Sequence, residues 1–162
     1  MYAKIVFCLF AVCSGVFADA SSHFQETRYV YALDKNLTLE GYISFREQSI
    51  LLEYVKPENK LLTYYEGNLS IQDAQGYRTI DTAQMPSLRY LFTVIKAVHD
   101  EDQSLLEHFF DASKHGDTLH LTPKGAVQEL LESIDVVTKK AVLKSLHVRM
   151  KNGDRILIEI QD

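Results

Sequence analysis

The chain has 162 residues, with 17 Lys and Arg against 22 Asp and Glu, so its formal net charge is −5. That mildly acidic balance, without a basic run, argues against nucleic acid and against electrostatic attachment to anionic lipid. Both cysteines, Cys8 and Cys13, stand near the start, so thiol catalysis and thiolate metal sites are excluded from everything that follows.

Lys4 precedes an apolar stretch over 5–16, and Val16-Phe17-Ala18-Asp19-Ala20 places small residues where a signal peptidase needs them. The pattern predicts a secretory signal over 1–20, cut after Ala20 or Ala18. A dozen or so apolar residues are too few for a stable membrane-spanning helix. The segment carries one charge of each sign, Lys4 and Asp19, so the domain over 21–162 keeps the charge of −5. An exported domain without cysteine rests on its core alone. About 140 residues suffice for one such domain and not for two.

Much of this domain alternates with period two, as half-buried strands do. Over 37–45, Leu37, Leu39, Ile43 and Phe45 share one face, and Thr38, Glu40, Tyr42 and Ser44 share the other. A second strand over 50–55 ends before Pro57, which cannot donate to a ladder. Strands over 61–65 and 68–72 flank a hairpin turn at Glu66-Gly67-Asn68. Leu88, Leu91, Phe92, Ile95 and Val98 then recur at helical spacing, with Pro86 suited to the first turn. An acidic joint over 100–104 separates them from a second helix carrying Leu105, Leu106, Phe109 and Phe110 and stopping near Gly116, with Asp102 as its cap. A strand over 119–123 leads into a shorter third helix over 125–133. Strands over 142–150 and 155–160 close the chain around Asn152-Gly153, a pair that suits the two positive-φ positions of a type I′ turn. Alternating strands with helices between them predict an antiparallel sheet with one face covered by the helices.

Enzyme constellations are absent from the sequence. There is no Gly-x-Ser-x-Gly and no phosphate-cradling glycine loop, and the six histidines form neither His-x-x-x-His nor His-Glu-x-x-His. Glu101 and Asp102 are adjacent, so their side chains diverge and read as a solvated joint, not an acid/base pair. No cofactor or metal is expected. The strand aromatics Tyr42, Phe45, Tyr54, Tyr64 and Tyr65 admit two readings: a filled core, or an apolar cavity that binds amphiphiles.

Several stretches, in order, resemble the periplasmic outer-membrane lipoprotein carrier family, LolA, and its divergent LolA-like branch. Phe24-Gln25-Glu26-Thr27-Arg28 is similar to the family's opening strand Phe-x-Gln-x-(Lys/Arg). The strand over 37–45 with Gly41, the proline-ended Leu52-Glu53-Tyr54-Val55-Lys56-Pro57, the turn over 73–76, the helix over 105–110, Leu119-His120-Leu121-Thr122-Pro123 and the closing hairpin at 152–154 complete the likeness over about 23–160. The resemblance implies an α+β fold: an unclosed antiparallel β-barrel, a strongly curved sheet, covered by a helical lid. It implies a carrier, without covalent chemistry, that binds acyl chains of a lipoprotein or other lipid amphiphile; a monomer is expected. Such a carrier moves its cargo from an inner-membrane exporter to an outer-membrane acceptor. The expected cavity is lined by Phe45, Leu52, Tyr54, Tyr64, Leu91, Phe92 and Ile95. The sequence departs from the family at three points. Only Ser21, Ser22 and His23 stand where a helix normally precedes the opening strand, and Leu52 replaces the usual tryptophan. The arginine that bonds the closed lid follows the strand glycine by six positions, whereas here Glu47 is at six and Arg46 at five, so Arg28 and Arg46 are both candidates. The alternatives are a non-carrier envelope scaffold with a filled core, and a hydrolase whose site shows no motif.

Overall fold

The computed structural model describes residues 20–81 and 83–161. The expected signal peptide lies outside them except for its last residue, the exposed Ala20, and so do both cysteines. The chain builds β1 (Ser21–Val30), β2 (Lys35–Phe45), β3 (Ser49–Lys56), β4 (Lys60–Tyr65), β5 (Asn68–Asp73) and β6 (Gly76–Ile80). Two helices follow, α1 (Pro86–His99) and α2 (Gln103–Phe109). The remaining strands are β7 (Phe110–His115), β8 (Thr118–Pro123), β9 (Leu131–Lys139), β10 (Val142–Met150) and β11 (Arg155–Gln161).

All eleven strands join one sheet in the order β6-β5-β4-β3-β2-β1-β11-β10-β9-β8-β7. The chain ends meet in its middle, where β1 pairs antiparallel with both β2 and β11. Among the described residues, β6 and β7 each keep one edge without a partner strand, so the sheet does not close. It must nevertheless curl. The Phe92 ring of α1 stacks on Tyr64 of β4 at 5.3 Å, and the same helix also packs against β10. Those strands are five places apart in the sheet. In a flat sheet that is roughly 24 Å, about twice the width of a helix. The sheet therefore wraps around α1 as an open half-barrel, the fold that the resemblance implies.

The period-two pattern sets which residues face the helix. Phe24, Ile43, Ile50, Leu52, Leu62, Leu69, Leu146, Val148 and Ile158 are all buried on the concave side. α1 is covered on more than one face: residues 91–95 are buried without a break, as is Ala97. A helix buried all round is a core element, not an amphipathic surface cover. α2 and the strands on either side supply that enclosure. Pro86 starts α1 as expected, and Asp102 caps α2 by accepting from the Leu105 N–H at 3.1 Å.

Four expectations need correction. The third helix is only a 3-10 turn over Gly125–Glu129, after which β9 begins at Leu131. The run Ile134-Asp135-Val136-Val137-Thr138 is rich in β-branched residues, which favour a pleated strand. The second helix stops at Phe109, and the residues expected to continue it form β7, turned back onto β8 at Gly116 with φ 61°. β6, unexpected from the sequence, forms an exposed edge strand on β5. The closing hairpin is not type I′. Asn152 keeps a negative φ, Gly153 alone is left-handed at 92°, and Met150 and Asp154 close a three-residue loop. That is the arrangement of a turn followed by a glycine bulge.

Two consecutive left-handed residues occur instead at Glu66-Gly67, as the hairpin expected there requires, and at Lys140-Ala141, with φ 52° and 63°. Neither residue of the second pair suits that region, which costs an L-residue about 1–2 kcal/mol. Ala141→Gly is therefore expected to raise stability by about 0.5–1 kcal/mol once the greater freedom of glycine in the unfolded chain is discounted. The shift of the urea midpoint at unchanged slope measures it.

Candidate functional site

The residues expected to line a cavity converge on the concave side. Phe45, Leu52, Tyr54 and Tyr64 come from β2, β3 and β4, and Leu91, Phe92 and Ile95 from the facing side of α1. They pack against one another. Phe92 stacks on Tyr64 with planes 10° apart, Phe45 stacks on His99 at 3.9 Å, and Leu52 and Phe92 are wholly buried. The trough of the half-barrel is filled by α1.

One opening on this side lies where α1 starts. A pocket of about 140 Å³ sits between the sheet and the first turn of the helix. Leu39, Leu62, Ile71, Met85 and Leu88 give it apolar walls, and Arg28 gives it a polar end. Tyr54, Pro57, Glu58 and Lys60 complete the rim. Strand polarity explains this grouping. The C-terminal end of β1, the N-terminal end of β2 and the β3–β4 turn lie at the same edge of the sheet.

Beside this pocket lies a feature that the sequence reading missed. Glu26 shares the inward face of β1 with Phe24 and Arg28 and is 0% exposed. Its carboxylate accepts from Arg28 Nε and from the Tyr54 hydroxyl at 2.5 Å. A buried carboxylate is tolerated only when it is paired and hydrogen-bonded. Burial pulls the Arg28 pKa down, but the adjoining carboxylate outweighs it and holds the guanidinium above its ordinary value. Burial, and then the Glu26 charge, push the Tyr54 hydroxyl well above the ordinary tyrosine range. Phe24 packs edge-on against the Tyr54 ring at 5.3 Å, which fixes the ring that carries that hydroxyl. Arg28 thus points inward and is engaged by its own strand. Arg46 lies at the opposite end of the half-barrel, in the β2–β3 turn, where its N–H donates to the Ser49 carbonyl.

On the outer face, β8, β9 and β10 align His120, Asp135 and His147 in one row. Asp135 bonds His120 Nδ1 at 2.5 Å and accepts from Arg149 at 2.6 Å. Burial raises the Asp135 pKa, yet the bonds from His120 and Arg149 outweigh it and hold it below the usual carboxylate range. A carboxylate that orients a histidine is half of a hydrolytic relay. The nearby Ser133 hydroxyl, however, accepts from Arg149 at 3.1 Å, so it is engaged by the guanidinium. The row is a hydrogen-bonded surface network. Among the described residues no cluster of His, Cys, Asp and Glu could hold a metal ion, and no helix is long and apolar enough to cross a membrane.

These features define a class: an unclosed antiparallel half-barrel around a buried helix, with a small amphipathic pocket at one end. In overall shape the chain is similar to a crystal structure described as an outer-membrane lipoprotein-sorting protein domain from Vibrio parahaemolyticus. That comparison has 8% identity and a TM-score of 0.41, covering 88% of this chain and 83% of the other. It is also similar to a LolA superfamily protein from Nitrosomonas europaea, with 7% identity and a TM-score of 0.39, covering 90% and 86%. Neither likeness bears on what this chain binds. No family model matches the sequence. No curated protein matches it either.

Proposed function

We propose that this protein is a non-enzymatic periplasmic carrier. It takes acyl chains of a lipoprotein or another lipid amphiphile between its curved sheet and α1, and moves that cargo from the inner towards the outer membrane. The observation that carries this reading is the seating of α1. The helix fills an apolar trough with Leu91, Phe92, Val94 and Ile95, and among the described residues no backbone–backbone hydrogen bond joins it to a strand. A helix held by side-chain packing can be exchanged for another apolar occupant.

The magnitudes are compatible. Exposing those four side chains costs about 6–12 kcal/mol, at roughly 1.5–3 each. An acyl chain recovers about 0.8 kcal/mol per buried methylene, so about 8–15 methylenes balance the displacement. Near balance, a membrane partner needs to contribute only a few kcal/mol to load or empty the carrier. Delivery falls to an inner-membrane exporter and release to an outer-membrane acceptor, with the carrier acting as a monomer between them.

The filled trough also favours a second reading, an envelope scaffold whose core is complete without cargo. Gentle purification followed by mass spectrometry, together with titration of an environment-sensitive fatty probe, separates the two. The carrier is expected to hold lipid and to take up probes only above a threshold chain length near ten carbons. Absence of both co-purifying lipid and probe uptake leaves the scaffold.

A further inference from the structure

We infer that the pocket at the start of α1 selects an uncharged carbonyl head, an ester or an amide, over a free carboxylate or phosphate. This rests on the acyl-carrier reading and names the end of the cargo that the pocket accepts.

Charge balance is the first ground. Arg28 is the polar end of the pocket, but the wholly buried Glu26 neutralises it from behind. The rim carries Lys60 and Glu58, one charge of each sign. The four charges sum to zero. An anionic head entering here would lose its hydration and find no net positive field to replace it.

Donor geometry is the second. Glu26 occupies Arg28 Nε, and the Tyr54 hydroxyl stands beside the guanidinium, so two groups of the protein fix its plane. Arg28 is about one-third exposed, with the pocket as its open side. Planar N–H donors held by a buried carboxylate suit a neutral carbonyl oxygen.

Size and surface are the third. The 140 Å³ volume holds four or five groups of water size, at about 30 Å³ each. That accommodates a carbonyl, its linking atom and two or three methylenes. Leu39, Leu62, Ile71 and Leu88 provide the apolar contact for the latter and lead towards the trough that α1 fills.

The test uses four twelve-carbon probes: a methyl ester, an N-methyl amide, a free carboxylate and an alkyl phosphate. Each competes at pH 8 against an environment-sensitive fatty-amide probe on the full mature chain. The ester and amide are expected to bind at least about tenfold tighter than either anion. Glu26→Gln leaves the Arg28 charge uncompensated and is expected to shift the preference towards the anions by about tenfold. If that variant does not fold, Glu58→Gln, at an exposed rim position, should move the ratio the same way by about threefold. Equal or tighter binding of the anions by the unaltered protein overturns the inference. So does a head-group ratio that no folded variant changes. Binding without head-group preference sinks this inference alone, whereas failure of all four probes sinks the carrier reading and takes this one with it.

Discussion

Arg28→Ala is expected to lower the unfolding free energy by about 2–4 kcal/mol, far more than loss of an ordinary surface charge. The reason lies with its partner. Glu26 has no access to solvent, and its carboxylate is held by Arg28 and by the Tyr54 hydroxyl. Removing Arg28 leaves a buried negative charge with one neutral donor. Breaking a fully buried pair costs about 3–5 kcal/mol. The lower range applies here because Arg28 is itself 35% exposed, so water replaces part of what is lost. The double variant Glu26→Gln, Arg28→Ala separates this cause from simple loss of packing. Glutamine keeps an acceptor for Tyr54 and carries no charge, so stability should return to within about 1 kcal/mol of the original. Urea unfolding of the three proteins measures the cycle. A single-variant loss below about 0.5 kcal/mol would mean that the pair behaves as a surface contact, and a double variant as unstable as the single would mean that the Arg28 stem, not its charge, matters.

The Glu26 pairing also marks the limit of what could be read beforehand. The concave face was legible because alternation in β2 to β5 and at helical spacing in α1 assigns each apolar side chain a direction, and those directions converge. Whether the converging side chains enclose space or fill it depends on the depth to which α1 sits, which no periodicity encodes. β7 escaped detection because only Phe110 in it is buried, and 111–115 are exposed, so there is no alternation to find. β6 is an exposed edge strand for the same reason. β9 was obscured by a helix read across its first residues, although Ile134, Val136 and Val137 already favour a strand. A buried glutamate looks like a surface one until its partners are placed, and Tyr54 is 28 residues away. The signal that was available is phase: Glu26 lies two residues from Phe24 and two from Arg28, on the inward side of its strand.

Gly41→Ala is expected to be the most damaging small substitution in the sheet, with a loss of about 3 kcal/mol or more. Gly41 lies on the concave face of β2, at the step where the pairing with β3 shifts register between Glu40 and Gly41. A Cβ there would stand 2.2 Å from the Glu53 carbonyl oxygen, 3.0 Å from the Glu53 carbonyl carbon and 3.0 Å from Phe24 Cε1. The Phe24 ring could rotate a little, but the carbonyl belongs to the adjacent strand. Relieving that overlap means pulling β3 away from β2 near the centre of the sheet. β3 carries Tyr54, so the same displacement loosens the hydroxyl that Glu26 requires. Gly67→Ala is the internal comparison. Gly67 has a left-handed φ of 82° with nothing within 4 Å of the added atom, so its cost is backbone strain alone, about 1–2 kcal/mol. Denaturant midpoints of the two variants distinguish close approach from conformational strain. If Gly41→Ala proves no worse than Gly67→Ala, β2 and β3 can separate without loss, and the sheet around Glu26 is looser than the close approach at Gly41 implies.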